Sequence, residues 1–250
     1  MGILDGKVVI ITGATSGIGE ATALEVAQEG GVAILAGRRT ELGDAVVAKI
    51  KHEGGTALFV KTDVTVEKDI KNLINHTIKK YGRLDAAFNN AGVIDATGTL
   101  DVLSTETYEN IMNINLRSIY WSMKYEIPEM KKNGGGAIVN TSSLAGIMGI
   151  PQSGVYAATK HGVIGLTKTA AMEFANENIR VNCVLPGPIE TELWNQLPDG
   201  KQMLQNSGNA APLNRYGKPI EVAKPVVFLL SNGASYITGT QLIIDGGHAA

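Results

Sequence analysis

Near-continuous runs of Val, Ile, Leu and Ala recur along the chain, and segments of helical period separate most of them. The first run is VVIIT at 8–12. VAILA at 32–36, ALFVK at 57–61, LDAAFNN at 84–90, AIVNTS at 137–142, IRVNCVLPG at 179–187 and TQLIIDGG at 240–247 follow. A strand with one wet face alternates apolar and polar residues. A strand without that alternation is covered on both faces. After the first run, Ile18, Ala21, Leu24 and Ala27 form one helical stripe. The segments 40–52, 67–80, 105–132, 155–176 and 221–230 also read as helices, two of them stopped by glycines at 54 and 134–136.

Strands separated by helices imply parallel crossovers. The expected fold is therefore α/β: a doubly wound, Rossmann-type sheet of seven parallel strands with helices on both faces. No linker, repeat or low-complexity tract divides it, so residues 1–250 are expected to form a single dinucleotide-binding and catalytic domain. The stretch 188–218 breaks the alternation. Its periodicity is weak and it is rich in Gly, Asn and Pro. A long irregular insert in a compact domain is usually functional, so this one is expected to be a lid over the substrate.

Composition narrows the partners. A formal charge of -2 over 250 residues supplies no basic field for nucleic acid and no polybasic membrane patch. Cys183 is the only cysteine, so no internal disulfide can form, which fits a reducing compartment. No apolar run reaches the ~18 residues that span a bilayer. The start, MGILDGK, lacks the basic and apolar regions of a signal peptide, and Gly6 stands where a myristoylation motif needs Ser or Thr. A cytoplasmic location is expected. His52, His76, His161 and His248 share no ligand-like spacing with Cys or carboxylates, so no metal is expected.

Two features carry chemistry. TGATSGIG at 12–19 places Gly13, Gly17 and Gly19 where the first strand turns into a helix. Gly13 permits the tight turn, Gly17 removes a Cβ that would block a pyrophosphate, and Gly19 lets the helix pack close. The pyrophosphate then meets the free N–H groups at the helix start. The second feature is Tyr156 with Lys160 one helical turn on, in SGVYAATKHGVIGL. A phenol near pKa 10 exchanges protons poorly at neutral pH. A lysine charge a few ångströms away, sheltered from water, is worth up to about 4 kcal/mol, which is expected to bring Tyr156 toward neutrality.

TGATSGIG, NNAG at 89–92, YAATK at 156–160 and PGPIET at 186–191 stand in the order and spacing of the short-chain dehydrogenase/reductases, which the chain resembles over its whole length. The resemblance implies a nicotinamide cofactor held by Gly13, Ser16, Gly17, Ile18 and Gly19. Asp63 and the Val64 N–H would hold the adenine. Asn89 would steady the central strand next to the cofactor, and Ala91 and Gly92 would line the cofactor site there. Pro186 and Gly187 would wall the nicotinamide, and Ile189 and Thr191 would bind its carboxamide. In the family pattern Gly37 occupies the position that is acidic in NAD enzymes, and Arg38 and Arg39 follow it. A guanidinium can clamp a 2′-phosphate. NADP(H) is therefore the expected cofactor, with NAD(H) as the alternative.

The same resemblance selects Ser143 over Ser142 and Asn115 over Asn113. With Tyr156 and Lys160 these complete a catalytic tetrad. Tyr156 would be the general acid/base, and Ser143 would orient the substrate oxygen. Lys160 would also bind the nicotinamide ribose. The Asn115 side chain would perturb its helix and hold a water linked to Lys160. Leu144, Ile150, Leu193 and Trp194, with Ser143, are expected to wall a pocket for a moderately apolar small-molecule carbonyl or secondary alcohol. The expected activity is hydride transfer between NADP(H) and such a compound, in a homotetramer. One alternative is a 3-oxoacyl-carrier-protein reductase. Gly134 and Glu177 stand where such enzymes carry basic docking residues, although Lys131 and Lys132 lie nearby. The other alternative is a non-catalytic NADP-binding regulator.

Overall fold

The computed structural model describes residues 2–94 and 98–250. Seven strands form one parallel sheet in the order β3-β2-β1-β4-β5-β6-β7. They are β1 (Val8–Thr12), β2 (Val32–Gly37), β3 (Thr56–Lys61), β4 (Ala86–Asn89), β5 (Gly136–Thr141), β6 (Ile179–Pro186) and β7 (Gln241–Ile244). Every residue of β1 is buried. Its side chains alternate between two cores, as strand geometry requires. Val9 and Ile11 pack with α1 (Gly17–Gln28), α2 (Thr40–His52) and α8 (Pro219–Leu230) on one face. Val8 and Ile10 pack with α3 (Glu67–Tyr81), α5 (Ser118–Lys132) and α6 (Gly154–Phe174) on the other. Full burial of each such side chain contributes roughly 1.5–3 kcal/mol, which is why these strands carry no polar alternation.

The chain reverses its direction of winding between β1 and β4, which are neighbours in the sheet. Ligands of doubly wound sheets bind at such a switch point, outside the carboxyl ends of the strands. The Gly-rich turn, the residues after β4 and those after β5 all converge there.

Two segments differ from the sequence expectation. The helix expected across 105–132 is α4 (Thr105–Met112), a π-helical stretch Asn113–Arg117, and then α5. The insert 188–218 is more ordered than its composition suggests, with a 3-10 turn Glu192–Gln196 and α7 (Gly200–Ala210). The buried positions of α7 are Gly200, Leu204 and Gly208, one to a turn. Two of the three are glycines, so the stripe has almost no apolar signature. A Cβ on Gly208 would come within 2.6 Å of the Tyr216 nitrogen, so the backbone itself packs there.

Candidate active site

A cleft of about 660 Å³ opens at the switch point. Of the residues singled out from the sequence, all but Gly19, Asn89 and Asn115 line it. Gly13 and Gly17 hold φ of 66° and 57°, a conformation that favours glycine. Gly19 has no room for a side chain, because a Cβ would overlap the Gly13 carbonyl oxygen and crowd Asn90. Close approach of α1 to its own turn is thus the reason for the third glycine. The same turn is tied to β4. The Thr12 hydroxyl accepts from the N–H groups of Asn90 (2.9 Å) and Ala91 (3.1 Å), and Asn90 Nδ2 donates to the Thr12 carbonyl (3.2 Å).

Asn89 does not face the cleft. Its Nδ2 donates into the core, to Glu126 Oε2 at 3.0 Å and to Asn140 Oδ1 at 3.1 Å. Asn140 in turn donates to Thr167 (3.0 Å). Successive strand residues point to opposite faces, so the NN doublet divides its work, and Asn90 is the one beside the cofactor position. Glu126 is 1% exposed. Burial pushes its carboxyl up to about 7, offset in part by the Asn89 hydrogen bond.

The tetrad residues come together from three places: Asn115 from the π-helical stretch, Ser143 from the turn after β5, and Tyr156 and Lys160 from α6. Lys160 is buried, and its Nζ donates to the Thr141 carbonyl (2.9 Å) and lies 5.5 Å from the centre of the Tyr156 ring. Ser143 Oγ, which accepts from the Ala145 N–H at 3.2 Å, lies near enough to the Tyr156 hydroxyl to oppose the rise in its pKa. Ser142 faces the other way, donating to the Lys160 carbonyl at 2.8 Å, so of the two serines it is Ser143 that meets Tyr156. Asn115 sits within the π-helical stretch, as an unfavourable mid-helix Asn can require. Its side chain bonds to main chain. Oδ1 accepts from the Val93 N–H (2.8 Å) and Nδ2 donates to the Val93 carbonyl (2.9 Å). Asn115 therefore fixes the backbone that follows β4, next to Gly92 and Lys160.

The ionisation of the pair runs against the sequence expectation. Burial pushes the Tyr156 phenol up from its ordinary value, and the Ser143 hydrogen bond recovers only part of the shift. Burial lowers Lys160 to about 8. The Lys160 ammonium donates to the Thr141 carbonyl and lies over the Tyr156 ring.

At the other end of the cleft, burial alone would raise Asp63. Two hydrogen bonds from Thr65 and the charge of Arg38 outweigh it and leave the carboxyl lowered. Arg39 folds over the glycine turn. Its Nη2 donates to Thr15 (2.9 Å) and Ser16 (2.6 Å), and its Nη1 pairs with Glu192 at 3.0 Å. Thr191 lies over Gly17, whose Cβ would stand 3.1 Å from its methyl. Trp194 donates from Nε1 to the Ile189 carbonyl at 2.8 Å. Asn90, Glu192 and His248 also line the cleft and were not singled out from the sequence. Strand parity could have found Asn90. Glu192 and His248 carry no local signal, since each is a lone polar residue in an irregular segment.

A glycine turn at the switch point of a doubly wound sheet, with a Tyr–Ser–Lys cluster at its side, defines a dinucleotide-dependent oxidoreductase. Comparison with known proteins agrees. A family model described as enoyl-(acyl carrier protein) reductase matches residues 13–249. Cyclohexanol dehydrogenase of Acinetobacter sp. (strain SE19) is 40% identical over 98% of this chain and 95% of its own. The 3-oxoacyl-[acyl-carrier-protein] reductase of Thermotoga maritima is 42% identical over 98% of each chain. The crystal structure of levodione reductase superposes with a TM-score of 0.95 at 35% identity, covering 99% of both chains. The chain belongs to the short-chain dehydrogenase/reductase family. It is an alcohol dehydrogenase/ketone reductase of the short-chain type, and the family uses a nicotinamide cofactor.

Proposed function

We propose that this enzyme interconverts an apolar, cyclic ketone and its secondary alcohol with NADP(H), using Tyr156 as the proton donor and acceptor. The single observation that carries the mechanism is the Tyr156–Ser143 hydroxyl pair beside buried Lys160 in the cleft.

The cleft fits a nicotinamide dinucleotide. Gly13 and Gly17 supply the positive φ, Gly19 the close approach, and the start of α1 the free N–H groups for a pyrophosphate. Arg38 and Arg39 flank the adenosine end with no acidic residue at Gly37, which favours a 2′-phosphate. Lys160 would reach the nicotinamide ribose, and Thr191 the carboxamide. When bound, the nicotinamide donates or accepts the hydride.

The chain's own groups handle the oxygen. In the direction of reduction, Tyr156 gives its hydroxyl proton to the substrate carbonyl oxygen. Ser143 donates a hydrogen bond to the same oxygen and stabilises the negative charge that develops on it. Oxidation of the alcohol reverses each transfer. Asn115 positions the Val93 backbone behind the site.

Leu144, Met148, Ile150, Leu193 and Trp194 make the substrate end apolar. This, with the likeness to cyclohexanol dehydrogenase, supports a carbocyclic substrate. The carrier-protein reductase reading is less favoured although that relative is 42% identical. Gly134 and Glu177 stand where such enzymes carry basic docking residues, and Glu177 places its carboxylate 2.9 Å from Lys131. The test is a panel of cyclohexanone, cyclohexane-1,2-dione and acetoacetyl thioester, each with NADPH and NADH. Turnover of the cyclic ketones with NADPH is expected. Turnover of the thioester alone would overturn the substrate class, and exclusive use of NADH would overturn the cofactor.

A further inference from the structure

We propose that Glu192 tunes coenzyme selection from the lid. Its carboxylate and the 2′-phosphate of NADP(H) compete for Arg39, so a phosphorylated nucleotide releases the first turn of the lid and an unphosphorylated one does not. This rests on the reading of Arg38 and Arg39 as the phosphate-selecting pair.

Arg39 is fully engaged. Nε and Nη2 both donate to the Thr15 hydroxyl, at 3.2 and 2.9 Å. Nη2 also reaches the Ser16 hydroxyl at 2.6 Å, and Nη1 holds Glu192 Oε2 at 3.0 Å. Thr15 and Ser16 belong to the glycine turn. Glu192 opens the 3-10 turn that carries Leu193 and Trp194. One guanidinium therefore joins the cofactor cradle to the substrate lid, at the end of the cleft where Arg38 also stands.

The pair is built to exchange. Its side chains are 48% and 59% exposed, and ion pairs in water are held weakly. A phosphate offers three acceptor oxygens and up to two charges, against two oxygens and one charge on the carboxylate. While paired, Glu192 both occupies the guanidinium and places a like charge beside the incoming phosphate. Once displaced, it frees a segment whose neighbour Thr191 rests against Gly17.

Calorimetric titration with 2′,5′-ADP and 5′-AMP tests this on the full chain without turnover. Glu192→Gln is expected to tighten 2′,5′-ADP about three- to fivefold, the scale on which exposed ion pairs act, and to leave 5′-AMP unchanged. Glu192→Asp should keep the wild-type ratio. If the wild type prefers 2′,5′-ADP and Glu192→Gln shifts neither ligand or both equally, the competition is overturned and the cofactor reading stands. If the wild type, Glu192→Gln and Arg38→Ala all bind the two nucleotides equally, the cofactor reading fails and the competition with it. Hydrogen–deuterium exchange over 190–196 reads the lid. Faster exchange with 2′,5′-ADP than with 5′-AMP is expected, and equal exchange would overturn lid release.

Discussion

Lys160 and Asn115, at the tetrad end of the cleft, are 3% and 0% exposed, and their partners are the main-chain groups of Thr141 and Val93. Arg39 and Glu192, at the other end, have side chains about half exposed and are held by side chains. A buried group bonded to main chain has one geometry. Removing its partner leaves an unsatisfied polar group, at a cost of about 1–3 kcal/mol. An exposed pair exchanges partners for about 0–1 kcal/mol. The Tyr156–Lys160 end is thus held fixed by its surroundings, whereas the Arg39–Glu192 end can exchange partners.

Substitutions at the two ends should therefore differ in kind as well as in size. The largest effect is expected for Tyr156→Phe, which keeps the ring but removes the proton. Loss of general acid catalysis is worth ~10²–10⁴ in rate, so kcat should fall by that much while NADPH binding, read by fluorescence titration, changes little. Retention of more than a tenth of kcat would remove Tyr156 from the mechanism.

Arg38→Asp probes the selective end. A carboxylate there would repel a 2′-phosphate, and the NADP/NAD ratio of kcat/KM should drop by ~10–100-fold with kcat itself nearly unchanged. An unchanged ratio would break the assignment of this end to coenzyme choice.

A further test reads the buried seam behind the tetrad, through stability rather than turnover. Glu126 is raised from 4.5 to about 7 by burial. Between those values the folded chain binds more protons than the unfolded one, so stability falls as pH rises from 4.5 through 7 and then levels off. The loss is at most about 3 kcal/mol. Glu126→Gln should flatten this dependence, raising Tm at pH 8 relative to the wild type and leaving it nearly equal at pH 5. Parallel melting curves across that range would show that the carboxyl stays solvated.

Much of this was legible in the residues. Unalternating strands required a sheet covered on both faces, because a strand buried twice has no wet side to mark. The glycine spacing required a cradle, because positive φ and missing Cβ atoms leave that signature in one dimension. The tetrad was found by motif resemblance, and the structure brings its members together. Other features left no such mark. The helix α7 buries two glycines and one leucine, so it has no stripe to read. Which of Asn89 and Asn90 lies beside the cleft is a matter of strand parity: Asn89 ties β4 to β5 in the core, and Asn90 bonds to the glycine turn.

The sequence by itself determined the fold class, the glycine turn and the placing of Tyr156 one helical turn before Lys160, because each depends on residue types at short spacing. Only the tertiary structure decided how those groups are used. Asn115 is spent on Val93, burial raises Tyr156, and the ammonium of Lys160 turns to Thr141. The carboxylate facing Arg39 arrives from 153 positions along the chain. Ionisation and partner choice depend on what surrounds a group in space, and distance along the chain carries no record of that.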